Sequence, residues 1–201
     1  MYKEIIKESS LSRLWTHNEK HDCAAISAFR KYDDCDKGHK YSRKENRQRN
    51  RSMLSKIIAD GYSGTRIKGI YPEGGEKQKE EGFFVVDLKD KGTLEKNLKK
   101  WGEEFDQDSV LFIPKGAIQN ETKAYLIGTN KCHNNWLGYG KKEIFNKGRM
   151  GYESPIYTSY INGRPFIFES YLDINYQPTS GFSHWSCIIA SKKNWSELDE
   201  L

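Results

Sequence analysis

The sequence predicts an α+β fold: a ferredoxin-like split βαβ sandwich with two helices on one face of an antiparallel sheet, extended by an N-terminal helix and a C-terminal β-hairpin. Three observations predict it. Between residues 24 and 130 the hydrophobic period switches in the order strand, helix, strand, strand, helix, strand, strand. The two middle strands are joined by a segment carrying Pro72 and Gly74-Gly75. That suits a hairpin-like connection and argues against the crossover helix that a small doubly wound sheet would need there. Finally, 201 residues make one good core plus additions, and the 5 Trp, 12 Tyr and 9 Phe supply the buried area that a chain with 30% charged residues otherwise lacks. The expected organisation is a single domain over residues 1–201, made of a helical arm (1–20), an α+β core (21–130), a long Gly, aromatic and basic loop (131–154), and a hairpin with a final strand (155–201).

Each element has its own warrant. Ile5, Ile6, Leu11, Leu14 and Trp15 fall at helical spacings in the arm. Residues 24–29 are a short apolar run of the kind that fills a central strand. Ser42 with Glu45 three residues on is a capping box that opens a helix lasting to about Ala59, where Asp60-Gly61 ends it. Its apolar stripe of Met53, Leu54, Ile57 and Ile58 continues backward through Asn50 and Asn46, so two amides lie in line with the core. Strand signals follow at residues 65–71 and 82–87, with residues 72–80 read as loop. A second amphipathic helix carries Leu94, Leu98, Trp101 and Phe105, and residues 109–114 and 124–127 are two further strands. Residues 155–161 and 165–168 flank Asn162-Gly163, a strong hairpin signal, and residues 184–190 read as a final strand.

No apolar run approaches a membrane span, the N-terminus has charges where a secretion signal needs an apolar stretch, and the four cysteines form no CxxC pair. These features predict a soluble, cytoplasmic protein with free thiols and no membrane partner. His21, Cys23, Cys35 and His39, and the adjacent Cys132-His133, repeat no zinc spacing, so neither metal nor cofactor is expected. His184 and Cys187 would point to opposite faces of a strand, which removes them as a nucleophile pair.

Two clusters carry the functional expectation. Arg43, Arg47 and Arg51, spaced by four, form a cationic ridge on the first core helix, and Trp136, Lys141 and Lys142 belong to a basic aromatic loop. Together they suggest contact with a polyanion, although a charge run on a helix is often only a solvated face. The second cluster is Ser27, Arg30, Asn46, Asn50, Glu81 and Gln107, at the ends or faces of core elements. Converging, they would bind a nucleotide or activate water for phosphodiester cleavage, with Glu81 and Arg30 as catalytic groups. The alternative is a buried network in which Arg30 pairs with Glu81 and the Asn amides satisfy backbone groups.

The segments Ile26-Ser27-Ala28-Phe29, Glu45-Asn46, Arg49-Asn50, Glu81-Gly82-Phe83-Phe84-Val85-Val86 and Phe105-Asp106-Gln107-Asp108-Ser109-Val110 give residues 24–115 a look that resembles a family of small bacterial and phage proteins classed as a domain of unknown function. The chain departs from that pattern at Phe29-Arg30, where Asn-Pro is expected, and at Phe105-Asp106-Gln107, where Phe-Gly-Gln is expected. The resemblance implies that Asn46, Asn50, Glu81 and Gln107 matter together, and that a phage setting is open. The leading expectation is therefore binding of a phosphate-bearing ligand, nucleic acid or nucleotide. A phosphodiester-cleaving enzyme centred on Glu81, or a protein-interaction or inhibitor module with a host protein as partner, are the alternatives.

Overall fold

The computed structural model of the chain describes residues 10–30, 39–73, 76–119, 122–132, 137–150, 158–161 and 164–170. Its elements in chain order are α1 (Ser10–Lys20), β1 (Cys23–Ile26), α2 (Arg43–Ala59), β2 (Ser63–Glu73), β3 (Glu76–Val86), α3 (Leu94–Glu104), β4 (Ser109–Ile113), a 3-10 turn (Ala117–Gln119), β5 (Tyr125–Gly128), β6 (Lys142–Met150), β7 (Thr158–Ile161) and β8 (Arg164–Ser170). This is a mixed helix and antiparallel-sheet fold. The strands pair in the order β1-β3-β2-β7-β8-β6-β5-β4, and β4 returns to β1, so the ring of pairing closes.

The sheet separates two cores. On β1, Ala24 and Ile26 join Phe83, Val85, Val110 and Phe112 beneath α2 and α3, while Cys23 and Ala25 join Phe84, Val86, Leu111 and Ile113 on the other face with Leu14 of α1. Alternation on a strand buried on both sides explains why β1 reads as unbroken apolar sequence. The helix α3 buries Leu94, Leu98 and Trp101, and the Trp101 indole N–H donates to Asp60 Oδ2 at 3.0 Å. On α2, Ser42 makes the capping box with Glu45, and the buried positions are Asn46, Asn50, Met53 and Ile57. Its second half thus lies on the apolar sheet, and its first half lies on something polar.

Three features differ from the sequence reading. The segment 72–80 is mostly strand: β2 and β3 form one ladder running without a break from Ser63↔Val86 to Glu73↔Glu76, which leaves only two residues between the paired ends. Gly-Gly is sufficient for a connection that short, whereas the sequence pattern there reads as a longer loop. Likewise β6 occupies part of the segment 131–154 expected to be loop, pairing with β5 and β8. Of the cysteines expected to be free, Cys23 is a buried free thiol and Cys132 is disulfide-bonded. The strand expected at residues 184–190 lies outside the described residues. Among the described residues, no helix is long and apolar enough to cross a membrane, and no group of three or more His, Cys, Asp or Glu is placed to hold a metal ion.

Candidate active site

Beyond Ile26, residues 27–30 belong to no strand pair, and side chains of α2 hold their backbone instead. Asn50 accepts from the Ala28 N–H at 2.8 Å and Arg49 Nε donates to the Ala28 carbonyl at 2.9 Å. Asn46 grips Arg30 at both ends, accepting from its N–H and donating to its carbonyl, each at 2.8 Å. Every second residue of the segment is served, as a neighbouring strand would serve it. This is the polar ground on which the first half of α2 rests.

Arg30, Asn46, Asn50 and Gln107 are therefore spent on structure. The Arg30 guanidinium, 5% exposed, pairs with Asp108 at 3.1 Å and also donates to the Asp106 carbonyl. Asp108 in turn accepts from the Asn130 amide at 2.7 Å. Gln107 donates to the Phe105 carbonyl at 3.0 Å. The Arg30–Glu81 pair of the buried-network alternative does not form, because the buried Asp108 is the carboxylate that meets the guanidinium, and Arg30, spent on that pair, is not available as the catalytic group expected beside Glu81. Asp106 has φ +53° at the end of α3, the left-handed conformation in which glycine is ordinarily favoured and Asp is tolerated. That accounts for the position where the resembled pattern carries Gly.

Glu81 is different. It stands in the middle of β3 rather than at its end, two residues past the last rung to β1 at Phe83↔Ile26. Its carbonyl is held by the Ser27 hydroxyl at 2.7 Å and by the Asn50 amide at 2.8 Å. Its side chain, half-buried, lies on the α2 face of the sheet, on the same side as Phe83 and Val85. Among the described residues its carboxylate makes no hydrogen bond or ion pair, and neither do the guanidiniums of Arg47, Arg51 and Arg66.

Two hollows meet at Glu81 and Arg66. One, of about 280 Å³, lies against α2 and is lined by Arg47, Asn50, Arg51, Leu54 and Phe83 besides the shared pair. The other, of about 560 Å³, lies where β2 and β3 run beyond the helix layer and is lined by Lys68, Ile70, Lys79 and Tyr160 besides the shared pair. Glu81 is directly opposite Lys68 across β2, and Lys68 is directly opposite Tyr160 across β7, so acid, amine and phenol form one row. Five cations surround one carboxylate.

Arg66, Lys68, Lys79 and Tyr160 were absent from the sequence-based set. Their signal was present in Arg66-Ile67-Lys68, charges alternating with a buried Ile on a strand face that no helix covers. Of the expected cationic groups, Arg47 and Arg51 line the cleft and Arg43 is exposed one turn away. Lys142 is committed to Glu95 at 3.1 Å and stands over the Tyr125 ring, and Lys141 is exposed. Trp136 lies outside the described residues.

The S-adenosylmethionine lyase family model matches residues 24–169, which takes in every strand from β1 to nearly the end of β8. No curated protein matches the chain significantly. The match replaces the resemblance to a family of unknown function with one named for an activity. It also corrects the functional expectation in all three forms. S-Adenosylmethionine contains no phosphate and no phosphodiester, so nucleic-acid or nucleotide binding and phosphodiester cleavage do not describe this family. A ligand-free interaction module conflicts with an enzyme family as well. By a match that covers well over half of its length and the whole of the Glu81 cleft, the chain belongs to the S-adenosylmethionine lyase family.

Proposed function

We propose that the protein cleaves a carbon–sulfur bond of S-adenosylmethionine in the cleft around Glu81. The observation that carries this reading is the uncommitted, half-buried carboxylate of Glu81 beside the uncommitted guanidiniums of Arg47, Arg51 and Arg66, in a chain of a family named for that reaction. The substrate has a sulfonium, an ammonium and a carboxylate. In an intramolecular cleavage a carboxylate oxygen of the substrate forms a bond to the γ-carbon as the C–S bond there breaks; the electron pair goes to sulfur, the sulfonium becomes a neutral thioether, and the amino-acid end leaves as a lactone. Water and oxidant are not consumed.

A lining rich in cations favours that loss of charge. At an effective dielectric of about 20, a unit positive charge ~6 Å from the sulfonium raises its energy by about 3 kcal/mol, a cost that disappears as the thioether forms. Glu81 is better placed on the ammonium, whose charge survives the reaction, than on the sulfonium, where it would stabilise the ground state more than the transition state. Its role is to orient the amino-acid end, and the arginines receive the substrate carboxylate.

The test is incubation of the protein with S-adenosylmethionine and detection of the thioether product, methylthioadenosine, by chromatography and mass spectrometry. Glu81→Gln should lower kcat/KM by about 100-fold or more with the fold intact by circular dichroism. Turnover unchanged in that variant would remove Glu81 from the site. The strand order β2-β3-β1-β4, with α2 and α3 as its two crossovers, supports reading the core as a ferredoxin-like split βαβ unit to which β5–β8 are added.

A further inference from the structure

We propose that Ser27 is a positioning residue for Glu81, its buried hydroxyl fixing the β3 backbone from which the carboxylate departs. The inference rests on the functional reading above and adds a residue that acts through Glu81. The β1–β3 register ends at Ile26↔Phe83, and counting on in it sets Ala28 opposite Glu81. In place of a direct rung, the Asn50 amide stands in series between them, accepting from the Ala28 N–H and donating to the Glu81 carbonyl, each at 2.8 Å. The inserted amide keeps the two chains apart where the α2 hollow opens, and Asn50 is part of the lining of that hollow. A strand released from its neighbour on one edge is free to turn about the other, where Glu81 faces Lys68 of β2. Ser27 opposes that turn.

Ser27 is fully buried, and its hydroxyl has one proton to give. The Phe29 N–H, at 2.9 Å, can only donate to that oxygen, so the proton goes to the Glu81 carbonyl at 2.7 Å. The bond from Phe29 holds the serine rotamer, which makes the hydroxyl a strut rather than a rotor. Carbonyl carbon and Cβ share one Cα, so a strut on the Glu81 carbonyl sets the direction in which the side chain leaves the strand. Direction matters at a reacting centre, because a misplacement of about 1 Å costs on the order of 100-fold in rate. Ser27→Ala removes the strut and leaves the Asn50 bond in place, so the strand stays attached and only its angle is released.

The experiment is a double-mutant cycle on kcat/KM for S-adenosylmethionine, with Ser27→Ala, Glu81→Gln and the double variant, and with Tyr62→Phe as the control for lost stability. Ser27→Ala should lower kcat/KM about 10-fold in the wild-type background and less than about twofold in the Glu81→Gln background, where the carboxylate it serves is gone. Tyr62→Phe removes a hydroxyl bonded to Thr93 at 2.8 Å and to Asn97 at 2.9 Å, beyond the C-terminal end of α2. It should lower the unfolding midpoint by about 2–4 °C, with Ser27→Ala no more than about twice that, and leave kcat/KM within about twofold. A loss by the same factor from Ser27→Ala in both backgrounds, or no loss in either, would overturn the positioning role and leave the functional reading standing. A wild-type protein that does not cleave S-adenosylmethionine, or full activity in Glu81→Gln, would overturn both.

Discussion

Replacing Asn50 by Ala should destabilise the protein by about 3 kcal/mol. The side chain is 5% exposed, accepts from the Ala28 N–H at 2.8 Å, and donates to the Glu81 carbonyl at 2.8 Å. Each bond contributes about 1 kcal/mol net, and a buried donor left without an acceptor costs about 1–3 kcal/mol more. Ala28 is fully buried, so its N–H has no recourse to water. The Glu81 carbonyl keeps the Ser27 hydroxyl at 2.7 Å, so only one of the two abandoned groups is orphaned. At this chain length the loss corresponds to a fall in Tm of about 6–12 °C. Urea unfolding followed by tryptophan fluorescence reads it directly, with the exposed neighbour Gln48→Ala expected within about 0.5 kcal/mol of wild type. A loss below about 1 kcal/mol for Asn50→Ala would refute the argument that helix side chains act as the strand partner of residues 27–30.

The remaining predictions concern charge. Asp108→Asn should cost about 3–5 kcal/mol in the same urea assay, because it leaves the buried Arg30 guanidinium without its counter-charge; a change under 1 kcal/mol would show that Arg30 finds water instead. Hydrogen bonds from the Ser42 hydroxyl and backbone hold the Glu45 carboxyl below its ordinary value of 4.5. A depressed folded-state value gives stability that is present above the unfolded value and lost as pH falls through the folded one. The deficit of Glu45→Gln relative to wild type should therefore be constant above about pH 5.5 and shrink as pH drops below 4.5; a deficit independent of pH would refute the capping-box assignment.

What the sequence determined by itself was local. The helix α2 begins where Ser42 and Glu45 reciprocate, the α3 face repeats at three and four, and β1 and β4 are short, nearly unbroken apolar runs, all governed by neighbours a few residues apart. Even the placement of Asn46 and Asn50 in line with the core could be read from spacing. Tertiary structure decided how those groups were used. Arg30 could be seen as a cation near the core, but its choice of Asp108, 78 residues away, over Glu81 depends on how β1 and β4 register against α3. Glu81 keeps its carboxylate available because two other side chains, Ser27 and Asn50, have taken only its carbonyl. The cleft itself arises because β2 and β3 run past the end of the helix layer, so that Arg66, Lys68 and Lys79 stand uncovered. Pairing length and layer overlap are set by contacts distant in sequence, and no periodicity within a strand records where its covering helix stops.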